Sequence, residues 1–185
     1  HQPLERVALS SRPIQCISAH GSLQNCWHLI IAHGGHLALR ALIGLGGNLG
    51  DVTAAFTAAV ATLATRCDVL MRSSQWSTAP LGPAQPAFEN AAVLVAWDRH
   101  PLELLALALA LEAAAGRDRH RETRWGPRLL DVDLLLIEGL VLEGPSLTLP
   151  HPRVHERRFA LLPAAELVPE WLHPRLHRTL RALEA

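Results

Sequence analysis

Leu37-Ala38-Leu39-Arg40-Ala41-Leu42-Ile43-Gly44-Leu45-Gly46-Gly47-Asn48-Leu49-Gly50-Asp51 carries the fold reading of this chain. Leu37 to Leu45 is an apolar run of strand length and reads as a buried strand, with Gly46 to Asp51 as a glycine-rich turn. Val52 to Thr65 then puts Val52, Phe56, Ala59, Val60 and Leu63 on one helical face, and Asp51 stands where an N-cap belongs. Further along, Val69 to Trp76 alternates loosely as a second strand, Thr78 to Pro86 is a proline-rich loop, and Phe88 to Trp97 reads as a third strand. Pro101 to Ala115 reads as a helix with proline in its first turn and Gly116 at its end. An arginine-rich loop leads to a last strand at residues 130–137, Glu138-Gly139 turns the chain, and a short helical C-terminal part follows. The order β-α-β-β-α-β predicts an α+β, ferredoxin-like domain over residues 37–185: an antiparallel sheet with its two helices on one face.

At 185 residues with 49% apolar side chains, the chain is long enough for one domain with a real core. Its formal net charge of zero argues against a nucleic-acid coat or a polybasic membrane anchor. All 17 basic residues are arginine, so arginine position carries information and arginine number does not. The three cysteines, Cys16, Cys26 and Cys67, have no metal-ligand spacing, and a reducing cytoplasm is the expected compartment. Glu103 and Glu112 interrupt the longest apolar run, so no membrane span is expected. Residues 1–36 hold His1, His20, His28 and His33 without periodicity, and read as a poorly ordered extension or a misplaced start.

The chemistry concentrates in Arg124-Trp125-Gly126-Pro127-Arg128-Leu129-Leu130-Asp131-Val132-Asp133, which runs into the last strand. Residues two apart on a strand share a face, with Cα atoms roughly 6.5–7 Å apart, so Asp131 and Asp133 point the same way. Two such carboxylates repel unless a cation sits between them, and Mg²⁺ favours oxygen ligands completed by water and phosphate. One aspartate capping a turn while the other is solvated is the plainer alternative. Arg117, Arg119, Arg121, Arg124 and Arg128 lie close by in sequence, and guanidinium forks suit phosphate oxygens. The loop from Arg117 to Arg124 has the composition of a mobile lid, although a solvated charged loop explains any single arginine in it. Gly44 to Gly50 is a weak phosphate cradle and a better tight turn, with Asn48 supplying a polar edge to the site. His151, fixed between Pro150 and Pro152, has Arg157, Arg158 and Phe159 for company. Phe88 and Asn90 share a strand face, and Phe88 with Phe159 can wall a flat ring while the Asn90 amide takes its edge. Core packing is the plainer role for Phe88.

These stretches together resemble the 6-hydroxymethyl-7,8-dihydropterin pyrophosphokinase family of folate biosynthesis. The match runs in order through Ile43 to Gly50, Thr78 to Pro83, Phe88 to Val93, Leu111-Glu112 with Gly116-Arg117, Arg124 to Asp133, and Pro150 to Phe159. The resemblance implies diphosphate transfer from ATP, the co-substrate, to the hydroxymethyl group of 6-hydroxymethyl-7,8-dihydropterin, with release of AMP. It implies two Mg²⁺ ions on Asp131 and Asp133, with Arg128 and Arg117 on the ATP phosphates as catalytic cations. Glu112, Thr148, His151 and Arg157 would line the ATP site. Thr78, Leu81, Phe88, Asn90 and Phe159 would hold the pterin, and Trp125 would cover it on closure. Neighbouring folate-pathway enzymes are the macromolecular partners that the resemblance suggests. Gly47 stands where serine is common in the family.

An RNA-binding module on the same kind of sheet is the competing reading, since an arginine-rich loop suits phosphates. Zero net charge, the absence of an aromatic strand motif and the paired aspartates weigh against it, and neither nucleic acid nor membrane is an expected partner.

Overall fold

The computed structural model describes residues 29–31, 35, 37–80, 84–117 and 126–184. Leu81, Trp125 and the lid residues 118–124 lie outside the described residues, as do Cys16, Cys26 and the histidines of the N-terminal stretch up to His36. A sheet is formed by β1 (Leu29–Ile31), β2 (Leu37–Gly47), β3 (Asp68–Arg72), β4 (Trp76–Thr78), β5 (Phe88–Trp97) and β6 (Asp131–Ile137). Every pairing in it is antiparallel. β2 is central: it pairs with β5 along one side, and with β6 and then β1 along the other. β3 and β4 continue the far edge of β5.

Helices α1 (Val52–Ala64) and α2 (Pro101–Ala114) cross over between strands, with local chemistry that matches the sequence. Asp51 Oδ1 accepts from Ala54 N at 2.9 Å, closing the first turn of α1. His100 Nδ1 accepts from Leu102 N while Glu103 reaches back to His100 N, so α2 starts on a reciprocal cap. Gly116, at φ +90°, ends that helix in a conformation glycine takes without a Cβ penalty. Alternate residues of β2 and β5 (Ala41, Ile43, Leu45, Val93, Val95, Trp97) pack with Phe56, Val60, Leu63, Leu104 and Leu111 of these helices into the larger core.

The other face of the sheet is covered too, which corrects the expected one-sided arrangement. Leu42, Ala92, Leu94, Leu135 and Leu136 meet α3 (Arg158–Leu167) and α4 (Leu180–Glu184) in a second core. A bulge produces this: β2 pairs Leu42 with Leu136 but Ile43 with Leu134, leaving Leu135 unpaired, so Leu135 and Leu136 both turn toward α3. The helical C-terminal part is therefore the second cover of the sheet, entered through the hairpin β7 (Leu142–Glu143) and β8 (Thr148–Leu149) and a 3₁₀ turn at Val154–Glu156. Before α4 it carries a small hairpin of β9 (Leu172–His173) and β10 (Arg178–Thr179).

Two boundaries move. Gly46 and Gly47 belong to β2 and not to a turn, since they pair with Asn90 and Glu89. The expected strand over 69–76 is broken into β3 and β4, because Glu166 of α3 accepts from Ser74 N, Ser74 Oγ and Trp76 Nε1 and draws the intervening segment to itself. From within residues 1–36, β1 pairs antiparallel with the first residues of β2.

Ile43, fully buried in the middle of β2, is the sharpest test of this core. Ile43→Ala is expected to lower unfolding free energy by about 2–5 kcal/mol, read from urea midpoints at unchanged slope; a loss under about 1 kcal/mol would contradict the packing.

Candidate active site

A cavity of about 1000 Å³ opens between the α3 face of the sheet and the segments that flank it. Its floor is built by register. Gly44 and Gly46 of β2 lie between Ala92 and Asn90 of β5 on one side and Asp133 and Asp131 of β6 on the other. A Cβ on Gly44 would sit 3.2 Å from the Leu135 side chain, and one on Gly46 would sit 3.4 Å from Asn90 Oδ1. The missing side chains keep the floor low between the polar walls. The i, i+2 glycines were visible in the sequence, but the turn reading of Gly46 hid them.

One end of the cavity is ionic. Asp131 and Asp133 share its face, as their spacing requires, and both line it. Asp131 accepts from Arg128 Nη1 at 3.1 Å and from Arg117 Nη1, while Asp133 accepts from Arg157 Nη1 at 3.0 Å. Burial pushes the Asp131 carboxyl up, but Arg128 and Arg117 outweigh it and hold the group below the ordinary carboxylate range. Asp133 is raised instead, first by burial and then by the charge on Asp131, against the pull of Arg157. Five arginines (117, 128, 153, 157, 158) face three carboxylates (Asp131, Asp133, Glu156) around the lining, so this end suits an anion. Arg153, Glu156 and Arg158 come from the turn before α3 and its first residue; Arg158 is expected from its place beside His151 and Arg157, whereas the sequence assigns Arg153 and Glu156 no role.

The other end is flat and apolar. Phe88 and Phe159 line it together with Thr78, Ala79 and Leu162. Asn90, 4% exposed, donates Nδ2 to Thr78 Oγ1 at 2.8 Å, which leaves its Oδ1 over Gly46 at the cavity floor. Arg157 lies 5.7 Å from the Phe159 ring centroid and so touches both ends.

Four residues assigned from the sequence are not part of the cavity lining. Glu112, 1% exposed, accepts from Arg117 Nη1 at 2.5 Å and from Val132 N at 2.9 Å, so it holds the arginine and the strand that carry the ionic end. Thr148 is half-buried on β8. His151 donates its backbone N–H to Leu135 O, accepts from Arg153 N on Nδ1, and has Nε2 3.5 Å from Arg157 Nη1. Burial, then Arg157 and Arg153, lower its pKa to about 4, so it is neutral at neutral pH. Asn48, expected to edge the site, is 7% exposed and bonds to Gln85, Pro86 and Arg128 instead. Among the described residues no group of three or more His, Cys, Asp or Glu side chains could hold a metal ion, so the aspartate pair is the candidate cation ligand.

A cavity with a cationic, carboxylate-bearing end and a flat aromatic end has the chemistry to take an anionic group at one end and a planar ring at the other. The model of the 7,8-dihydro-6-hydroxymethylpterin-pyrophosphokinase (HPPK) family matches residues 42–169. The chain is 40% identical over 142 residues to the 2-amino-4-hydroxy-6-hydroxymethyldihydropteridine pyrophosphokinase of Synechocystis sp., covering 76% of this chain and 72% of that protein. The protein of the same name from Methylorubrum extorquens is 44% identical over 134 residues, covering 71% of this chain and 84% of its own. Among solved structures, Plasmodium falciparum HPPK-DHPS superposes with a TM-score of 0.61 at 15% identity, over 83% of this chain and 42% of that one. The chain thus spans less than half of that fusion, which supports the fold alone. The chain belongs to the 7,8-dihydro-6-hydroxymethylpterin-pyrophosphokinase family.

Two outcomes check this geometry. Glu112→Leu strips a buried charge from Arg117 and a hydrogen bond from Val132, and is expected to cost about 3–5 kcal/mol of stability in urea unfolding; a cost below about 1 kcal/mol would contradict the placement. His151 is depressed on folding, so its contribution is present above the ordinary pKa of 6.5 and is lost as pH falls from there toward about 4. His151→Gln is therefore expected to flatten the fall in urea midpoint between pH 7 and pH 4.5; an unchanged slope would contradict it.

Proposed function

We propose that the protein transfers diphosphate from ATP to the hydroxymethyl group of 6-hydroxymethyl-7,8-dihydropterin, releasing AMP, in folate biosynthesis. One observation carries the reading: a single cavity joins the arginine-flanked Asp131 and Asp133 to a ring slot lined by Phe88, Phe159 and Asn90. Family membership supplies the substrate class, and the volume suits two substrates side by side. The βαββαβ core with strand order β6-β2-β5-β3 is the ferredoxin-like arrangement in this reading.

The donor set fits Mg²⁺. Two carboxylates share one face of β6 and line the cavity together, the oxygen donor set that a hard divalent ion prefers and one whose mutual repulsion such an ion would offset. Asp131 and Asp133 would hold two Mg²⁺ ions, whose chemistry is to neutralise phosphate charge and make an alcohol more acidic. The protein's own residues do the rest. Phe88 and Phe159 hold the pterin flat, and Asn90 Oδ1 takes a ring N–H. Arg128 and Arg117, which pair with Asp131 here, would supply the guanidinium donors for the phosphate oxygens. Arg157 bridges the two ends. In-line attack then joins the pterin oxygen to the β-phosphorus, its hydroxyl proton passing to solvent water, as the bond from that phosphorus to the α-phosphate's bridging oxygen breaks and AMP leaves with that electron pair. Leu81, Trp125 and the 117–124 lid complete the pterin and ATP contacts in this reading, with Thr148 and His151 behind the ATP wall. The partners are these small molecules, with neighbouring folate-pathway enzymes as macromolecular candidates, a fusion of that kind being the form of the Plasmodium protein.

The test is product analysis with ATP, Mg²⁺ and the pterin. AMP is expected to appear only with pterin, without ADP, and Asp131→Asn and Asp133→Asn are each expected to reduce its rate by at least about 100-fold with the fold intact. ADP as product, or near-normal rates in both variants, would overturn the assignment.

A further inference from the structure

Asn48 belongs to neither end of the cavity, yet its bonds run to the segments that shape both. The backbone ladder between β2 and β5 stops at Gly47 and Glu89, and that between β2 and β6 stops at Gly46 and Asp131. Beyond those points Asn48 takes over with its side chain. Nδ2 donates to Gln85 Oε1 at 3.1 Å and to Pro86 O at 3.0 Å, in the segment that enters β5 two residues before Phe88. Oδ1 accepts from Arg128 N at 2.9 Å, and the Asn48 backbone N donates to Arg128 O at 2.9 Å, so the Arg128 residue is gripped from both sides. Both donors and an acceptor of one buried amide are thus spent across two neighbouring loops. Gly47 makes the approach physically allowed. A Cβ there would lie 2.6 Å from Leu129 O and 3.3 Å from Val52 Cγ1, and the first contact is with backbone, which cannot swing away.

We propose that Asn48 is a positioning residue that sets the spacing between the ring wall and the phosphate-side Arg128, and that Gly47 is the steric condition for it. The inference rests on the reading of the two ends given under Proposed function. Its physical content is that the two ends are tuned through separable arms of one side chain. The Gln85–Pro86 arm governs the wall at Phe88, and the Arg128 arm governs the cation beside Asp131. A residue there merely to hold the fold together would weaken both ends alike.

The experiment measures, by calorimetry on the full chain, binding of 6-hydroxymethylpterin and of a non-hydrolysable ATP analogue with Mg²⁺. Asn48→Asp keeps the acceptor for Arg128 N but loses both donations, and is expected to weaken pterin binding about tenfold or more with the ATP analogue changed less than about twofold. Gly47→Ala displaces Leu129 and leaves the Gln85–Pro86 arm intact, so the opposite split is expected. Amide exchange at Arg128, read in the free protein, is expected to be slow in the wild type and Asn48→Asp and fast in Asn48→Ala. Equal losses for both ligands in both variants, or an Arg128 amide that exchanges fast in the wild type, would overturn the inference. A wild type that binds both ligands with this split yet releases no AMP would support the spacing role and remove the reaction assigned above.

Discussion

The arrangement turns on two like charges placed side by side. Asp131 and Asp133 sit on one face of β6 because residues two apart on a strand must, and there they repel each other in a half-buried site. The protein balances them with guanidinium groups from three separate segments: Arg117 after α2, Arg128 before β6 and Arg157 before α3. Those same cations are what a polyphosphate needs. The site rests in an internally paired form, and in the function proposed above a ligand that brings its own cations and anions would exchange partners without leaving charges bare.

The geometry around that pair depends on the sheet being covered on both sides. On one face α1 and α2 bury the larger core and anchor Glu112, which fixes Arg117 and the N–H of Val132. On the other, α3 brings Phe159 while the turn before it brings Arg157, and the bulge at Leu135 gives this second layer apolar surface to grip. The cavity is the part of that second interface left unfilled, and Gly44 and Gly46 keep its floor open. Glu166 ties α3, which carries Phe159, to the β3–β4 connection that leads to Thr78.

Much of this was legible in the chain. Apolar period and punctuation found β2, α1, β5, α2 and β6, with β5, the cap at Asp51 and Pro101 in the first turn of α2 matching residue for residue. The shared face of Asp131 and Asp133 was legible because strand spacing decides side-chain direction, and the nearness of Arg128 because it stands three residues before Asp131. What escaped was whatever depends on partners distant in sequence. A bulge is invisible without its partner strand, and the break at residues 73–75 depends on Glu166, some 90 residues away. Glu112 has the sequence context of any helix-end carboxylate, and only burial shows it as a strut. Asn48 looked like a site edge because it follows glycines, whereas its bonds run to loops on either side.

The account stands or falls on the exchange of arginine partners at Asp131 and Asp133 for cation-bound phosphate. The direct measurement is calorimetric binding of a non-hydrolysable ATP analogue with Mg²⁺ and with chelator. Binding that requires Mg²⁺ in the wild type, and loses that requirement together with most of its affinity in Asp133→Asn, is the result the account predicts. Equal affinity in chelator would contradict it, since the arginines would then be holding phosphate with the carboxylates as bystanders.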